Sequence, residues 1–404
     1  MRASPCFDIT NAFWIGPVSL IRPFRPPSPA VAQGSETGTP ALVGLVTLYD
    51  LPRPDAQQLI LELRNLSVSV KMLTGDALAV ACEIGKGVGL TNIRRASDLK
   101  AASAQPGRQA TDLLAGANGL AEVYPEDKYL VVQHLQAAGH VVGMTGNGVN
   151  DAPALRQAEV GIAVSSATDV AKGSASVVLT DQGLTDIVAL VEQGRIIYQR
   201  VQTWIINKIS RAILKSAFVA IAFVVTGQFV VSAFAMLLLT FMTNFSKITL
   251  ATDHVRPSRR PETWNIGGFI TVSAVLGVAM VAEALPLLYV CWSRFGLAPI
   301  ANIKDKPLHT FSFLVLLYFA VFSVLSARER RLFWATMPSK SVITALMANA
   351  VVGTILAILG LPGLAPLPWW QMSTIFGYAL VSCLIVNDVL KVALMQRLVP
   401  TAVA

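Results

Sequence analysis

Short apolar runs alternate with amphipathic stretches as far as about residue 200, and beyond it the apolar runs lengthen to membrane-spanning size. The runs at 42–49, 67–73, 120–124, 141–145, 160–164 and 176–180 are brief and largely unbroken by polar residues, the pattern of strands buried on both faces. Between them, 55–66, 77–88 and 125–138 carry apolar residues at helical spacing, with Pro125 suited to a first helical turn. The stretch 91–118 reads as a polar connection, and 184–200 as a last helix leading towards the membrane. This alternation predicts an α/β domain over 41–200, with parallel strands whose ligand-binding loops gather at their carboxyl ends.

The second half reads differently. A hydrocarbon core of about 30 Å needs about 20 apolar residues per helix. Six spans fit, at 203–226, 229–250, 267–292, 310–326, 341–362 and 370–389, giving an all-α membrane domain over 201–404. The segments 252–266, 327–340 and 391–404 hold 3, 4 and 2 Lys/Arg, against 0, 3 and 0 for 227–228, 293–309 and 363–369. That excess places both chain ends on the cytoplasmic side of a cell membrane. Trp264, Trp292, Trp334, Trp369 and Trp370 fall near span ends, where an interfacial aromatic belt lies.

Charge sharpens this division. Residues 1–200 hold 16 Lys/Arg and 18 Asp/Glu, whereas 201–404 hold 16 and 6. The net charge of +8 therefore belongs to the apolar half and its loops, and no nucleic-acid-binding face is implied. Cys6, Cys82, Cys291 and Cys383 have no ligand spacing, nor have the four histidines, so scattered thiols and no zinc site are expected. Residues 1–40 contain one short apolar run, broken by Gly16 and Pro17, and then a Pro-rich stretch. They are expected to form an unstructured or unrelated leader. Gly85 to Gly89 imitate a phosphate loop but sit where a helix should end.

Candidate chemistry gathers in the first half. Met144-Thr145-Gly146-Asn147-Gly148-Val149-Asn150-Asp151-Ala152-Pro153 is a strand end, a Gly-rich polar loop and a helix start. Such a loop offers backbone N–H groups to an anion and side-chain oxygens to a hard cation such as Mg2+. Thr74 and Asp76 lie at another strand end, where a hydroxyl meets a phosphate oxygen. Lys128 opens a helix and is suited to neutralising phosphoryl charge.

Lys71-Met72-Leu73-Thr74-Gly75-Asp76, Pro125-Glu126-Asp127-Lys128 and the 145–153 loop together resemble the phosphorylation domain of P-type ATPases, which is of the haloacid dehalogenase-like, Rossmann-like class. The string 149–180 and the loop Asp253-His254-Val255-Arg256-Pro257-Ser258 look most like the plasma-membrane proton-pump branch. The resemblance covers roughly 41–390. It implies that Thr74 contacts an acyl phosphate, with Asp76 in the same motif, and that Lys128 stabilises its charge. Asp151 helps to hold Mg2+, while Gly75, Gly146 and Asn150 lie near the phosphate. Asp50, Arg53 and Asp55 match the stretch before that motif. The six spans correspond to the fifth to tenth of a pump, and the complete pump uses ATP and Mg2+ to move a cation.

Three departures follow. No Asp-Lys-Thr-Gly-Thr motif is present, and Ser35-Glu36-Thr37-Gly38-Thr39 echoes only its tail. A serine does not form an acyl phosphate. No room remains for a nucleotide-binding domain before Thr74. Asn147 stands where the family has a Mg2+-ligating aspartate, which weakens metal binding. In the membrane, Asn244 and Lys215 replace the family's aspartate and arginine. Lys247 shares the face of Asn244, and Glu283, deep in a span, is a possible partner for it. These residues form the expected transport path. The expectation is the C-terminal portion of a cation pump, incomplete alone, in membrane lipid. The alternatives are the second half of a split pump, working with a separate N-terminal half, or a non-catalytic membrane protein that binds a complete pump.

Overall fold

The computed structural model describes residues 12–15, 30–33, 41–45, 52–104, 109–181, 185–262, 264–294, 307–361 and 363–399. Two compact units emerge, Met1–Glu192 with Ser258–Thr263, and Gln193–Pro257 with Trp264–Ala404. The division falls earlier than the boundary expected at 200. It lies inside one continuous helix, because Glu192, Arg195 and Arg200 interrupt the apolar pattern without interrupting the helical one.

The first unit is built on β1 (Ala12–Ile15), β2 (Ala30–Gln33), β3 (Ala41–Leu45), α1 (Ala56–Asn65), β4 (Ser69–Leu73) and α2 (Leu78–Gly87). It continues with β5 (Ile93–Arg95), α3 (Ala96–Ser103), α4 (Gln109–Gly116), β6 (Gly119–Ala121), α5 (Pro125–Ala137) and β7 (Val142–Gly146). A 3-10 turn at Val149–Asp151, α6 (Ala152–Gln157), β8 (Val160–Ala163), α7 (Asp169–Ser174) and β9 (Val177–Val178) complete it. Seven strands form one sheet in the order β5-β6-β4-β1-β7-β8-β9, every described pairing parallel. The expected α/β class is therefore met, with the helices' apolar faces and β4, β7 and β8 supplying the core.

Two parts of this unit differ from the sequence reading. Residues 91–118, taken as a connection, hold β5, α3 and α4; their apolar positions are too few per turn to stand out from the polar ones. The apolar stretch Ala12–Ile15, placed outside the fold as leader, is the central strand of the sheet. It pairs with β4 on one side and β7 on the other. Residues 30–33 and 41–45 pair as antiparallel strands, and 46–49 of the strand expected at 42–49 lie outside the described residues. The Ser35–Thr39 echo and Asp50 lie outside the described residues.

β4 is buried from Val70 onward and carries one charge, Lys71. Its ammonium donates to the carbonyls of Leu114 and Ala117, the latter at 2.7 Å, at the carboxyl end of α4. The partial negative charge there favours a cation. Burial nevertheless lowers the Lys71 pKa to about 8.

The second unit holds most of α8 (Thr185–Thr226), then α9 (Ala233–Thr249), α10 (Ile266–Arg294), α11 (Pro307–Ala327) and α12 (Lys340–Leu359). Its last helix runs as α13 (Trp369–Val381), a π-helical segment Ser382–Val386 and α14 (Asn387–Leu398). Among the described residues six helices are long and apolar enough to cross a membrane, as expected. Nearly every residue of α11 is buried, with α9, α10, α12 and α13 packed around it. Ser232 and Ser339 cap α9 and α12 by accepting from Ala235 N and Val342 N.

The sixth span runs past its expected end at 389. Asp388 and Lys391 look like interfacial residues in sequence. In the fold they pair with each other at 2.7 Å, both fully buried, and the helix continues to Leu398. A second buried pair, Arg328 Nε to Asp253 Oδ2 at 2.8 Å, ties the segment after α9 to the segment between α11 and α12. Ser339 N donates to the other Asp253 oxygen at 2.9 Å, and Arg200 to the Asp253 carbonyl at 2.6 Å.

Candidate active site

Strand register defines the site. Ile15, at the end of β1, is level with Met72 of β4 and Thr145 of β7. Thr74 lies two positions beyond Met72 and Asn147 two beyond Thr145, so both stand at the same height on either side of the β1 carboxyl end. Neighbouring strands are about 4.8 Å apart, which sets the two loops roughly 10 Å from each other across β1. Phosphate- and carboxylate-handling loops in open parallel sheets occupy this edge.

On the β4 side, Thr74 N donates to Leu120 O and Thr74 O accepts from Val123 N, so the residue is held by the β6 region. Its buried hydroxyl donates to Asp76 Oδ2 at 2.5 Å and accepts from Asp76 N at 3.2 Å. Gly75 between them is exposed. The Thr74 hydroxyl proton is thus engaged by Asp76, and offering it to another acceptor requires the hydroxyl to turn away.

On the β7 side, Asp151 is the organising residue. Its Oδ2 accepts from Asn147 N and Gly148 N, each at 3.0 Å, and its Oδ1 accepts from Lys128 Nζ at 2.7 Å. Lys128 and Asp151 side chains are 14% and 7% exposed, so the pair is largely shielded from water. Gly146 makes the fold of this loop possible: a Cβ there would lie 2.5 Å from Asp151 Cβ. Asp151 also begins α6, with Pro153 in the first turn.

Lys128 is positioned by the start of α5. Asp127 Oδ2 accepts from Tyr124 N at 3.0 Å, closing the first turn, and Lys100 Nζ lies 2.8 Å from Asp127 Oδ1. That hydrogen bond to Asp127 raises the Lys100 pKa. Asn150 is exposed on the 3-10 turn, and Asn147 is half-buried.

The sequence-predicted residues thus fall into two sets flanking β1. One is Thr74, Gly75 and Asp76; the other is Lys128, Gly146, Asn147, Asn150 and Asp151. Together they offer a hydroxyl, an ammonium and Gly-rich backbone, a donor set suited to phosphate oxygens. The fit to Mg2+ is poorer. Asp151 is the single carboxylate on the β7 loop and is already engaged by Lys128 and two amides. Asn147 brings an oxygen without charge, and no cluster of three metal-ligating side chains occurs among the described residues.

The membrane residues do not form one cluster. Lys247 Nζ is 3.4 Å from Asn244 Oδ1, and Lys215 Nζ is 3.5 Å from Thr240 Oγ1, joining α8 to α9. Glu283 pairs with Asn387, which donates to its Oε2 at 2.7 Å, and not with Lys247. The sequence reading missed Arg211, Asn387 and the Asp253–Arg328 pair. A charge or amide inside an apolar run was the available signal; Arg211 donates to Asn207 one turn away, whereas the partners of Asn387 and Asp253 are far along the chain.

Comparison with known proteins agrees with this geometry. A haloacid dehalogenase-like hydrolase family model matches residues 12–159, beginning at the residue that opens β1. A Methanocaldococcus jannaschii protein named as a putative cation-transporting ATPase is 33% identical over 360 residues, covering 88% of this chain. The chain spans 44% of that relative's length. A haloacid dehalogenase-like α/β domain is thus followed by six apolar helices, and on this likeness the chain is P-type ATPase-like.

Proposed function

We propose that this chain is the C-terminal, phosphoryl-handling and membrane-spanning portion of a cation-transporting P-type pump, nearest the proton-pump branch. The observation that carries the reading is the placement of Thr74 and Asn147 at one height on either side of the β1 carboxyl end, with the Lys128–Asp151 pair bonded to the Asn147 loop, in a chain with six apolar helices among its described residues. In the complete pump ATP would be the phosphoryl donor and Mg2+ would screen its charge. Lys128 neutralises phosphoryl oxygens, Asp151 holds Lys128 in place, and the Thr74 hydroxyl donates to a phosphate oxygen. Asn147 and Asp151 as a pair bind Mg2+ weakly, so further carboxylate ligands come from elsewhere in the pump. Asn244, Lys215 and Lys247 lie on the transport path. The protein resides in the plasma membrane with both ends cytoplasmic.

The sequence has no Asp-Lys-Thr-Gly-Thr motif, and Gly16-Pro17 follows β1. On this reading the chain alone forms no aspartyl phosphate. Incubation of the purified chain with labelled ATP and Mg2+ is expected to leave it unlabelled. Adding a membrane polypeptide that carries the motif and the nucleotide-binding domain is expected to give a hydroxylamine-sensitive phosphoprotein that Lys128→Met abolishes. Labelling of the chain by itself would overturn the assignment.

A further inference from the structure

Two carboxylates lie within the spans, Asp388 fully buried and Glu283 half-buried, and they are treated differently. Asp388 is saturated: Oδ1 accepts from Ser326 Oγ at 2.9 Å and from Lys391 at 2.7 Å, and Oδ2 from Phe333 N at 3.0 Å. Glu283 on α10 has no cationic partner among the described residues. Its Oε2 accepts from Asn387 Nδ2, while its Oε1 is buried without a hydrogen-bond partner. Asn387 is 4% exposed, and its Oδ1 is likewise buried and unpartnered. Two acceptor oxygens from two helices are therefore left without a donor beside an uncompensated carboxylate. Each such group costs free energy unless a hydrogen-bond donor or a cation meets it, and a cation also balances the carboxylate.

The backbone around the pair is irregular on both helices. Pro286 on α10 has no N–H to donate to the carbonyl of Ala282, next to Glu283. Asn387 follows the π-helical segment, its N–H reaching back five residues to Ser382 O. Tyr378 Oη donates to the Glu283 carbonyl at 2.9 Å, fixing α13 against α10 at this level. Interrupted helices with exposed carbonyl oxygens at membrane depth are tolerated where they line an ion site.

We propose that Glu283 and Asn387 form an intramembrane site for one monovalent alkali cation, with Glu283 Oε1 and Asn387 Oδ1 as ligands. Such an ion balances the carboxylate and takes both orphaned oxygens at once. The site uses neither ATP nor the β1 edge, so it stands or falls separately from the pump assignment.

The test uses the full chain in lipid nanodiscs at fixed pH and ionic strength, in choline, sodium or potassium chloride. A protonated membrane carboxyl adds to dicyclohexylcarbodiimide, its proton going to nitrogen and its oxygen to the central carbon, and the stable N-acylurea that follows by rearrangement on Glu283 is quantified by peptide mass spectrometry. Labelling is expected to fall about tenfold in sodium or potassium relative to choline, and to lose that protection in Asn387→Ala. The protecting salt identifies the ion. Thermal melting in the same salts is the second measurement, with stabilisation by the alkali ion expected in the wild type and absent in Glu283→Gln. Equal labelling and equal melting in all three salts overturn the proposal, since Glu283 is then a neutral buried acid. Full protection persisting in a monodisperse Asn387→Ala protein overturns it as well.

Discussion

The Lys128 ammonium stands 2.7 Å from one oxygen of Asp151, whose other oxygen receives the amides of Asn147 and Gly148. One carboxylate thereby ties the start of α5 to the loop that leaves β7. Breaking a shielded pair leaves its survivor without its counter-charge, which costs more than the pair is worth.

A double-mutant cycle follows from this. Asp151→Asn and Lys128→Met are each expected to destabilise the α/β unit by about 2–4 kcal/mol. The double variant is expected to cost about 1–3 kcal/mol less than their sum. Hydrogen exchange of β7 and α5 amides in the full chain reads these differences. Strictly additive losses would mean that the two side chains act independently.

The Lys71 ammonium supplies a pH dependence outside the membrane. An unfolded lysine keeps its proton up to about pH 10.4, whereas folded Lys71 loses it near 8. Between those values the unfolded chain binds more protons, so stability rises with pH across this window and is flat below it. The rise is about 3 kcal/mol at most. Lys71→Met should lose the rise and, because the Leu114 and Ala117 carbonyls lose their donor, start about 1–3 kcal/mol lower. Urea midpoints of wild type and variant at pH 7.5 and 10 check both statements; parallel pH profiles would defeat the argument.

Much of this architecture is written in local pattern. Continuous apolar runs marked β4, β7 and β8, Pro125 and Pro153 marked helix starts, and Asp151 and Thr74 were found as strand-end polar residues. What escaped depends on partners distant in sequence. Ala12–Ile15 is too short to identify alone, and becomes a central strand because β4 and β7 bracket it. Glu283 has Lys208, Arg211, Lys215 and Lys247 as basic candidates within the expected spans, and spacing does not select an amide 104 residues away. Asp388 and Lys391 resemble a span end until their mutual burial is seen.

The Arg328–Asp253 pair is the sharper case, with side chains 1% and 3% exposed. Arg328 also donates to the carbonyls of Thr336 at 2.5 Å, Met337 at 3.1 Å and His254 at 3.3 Å. Arg328→Met strands a buried carboxylate and three carbonyls, at an expected cost of about 3–5 kcal/mol. Arg328→Lys is expected to recover little, because one ammonium does not reproduce a planar fork. Exposed Arg331→Met is the control, within about 0.5 kcal/mol of wild type. Protease cleavage within 252–262 should accelerate in the first two variants only.

On the proposed reading, Asn147 sets how tightly the β7 loop holds a divalent cation. Its own N–H lies 3.0 Å from Asp151 Oδ2, so a second carboxylate at 147 would stand beside the first. Asn147→Asp is therefore expected to destabilise the metal-free chain by about 1 kcal/mol through like-charge repulsion, and to bind Mg2+ about tenfold more tightly. Both effects appear in one experiment: melting of the full chain as MgCl2 is raised, with choline chloride keeping ionic strength constant. The variant should begin below wild type and overtake it as the ion binds, because stabilisation grows with the logarithm of occupancy. Calorimetric titration of Mg2+ into the two proteins gives the affinities directly. Identical Mg2+ affinities would place the 147 side chain away from the metal and leave Asp151 as a purely structural anchor for Lys128.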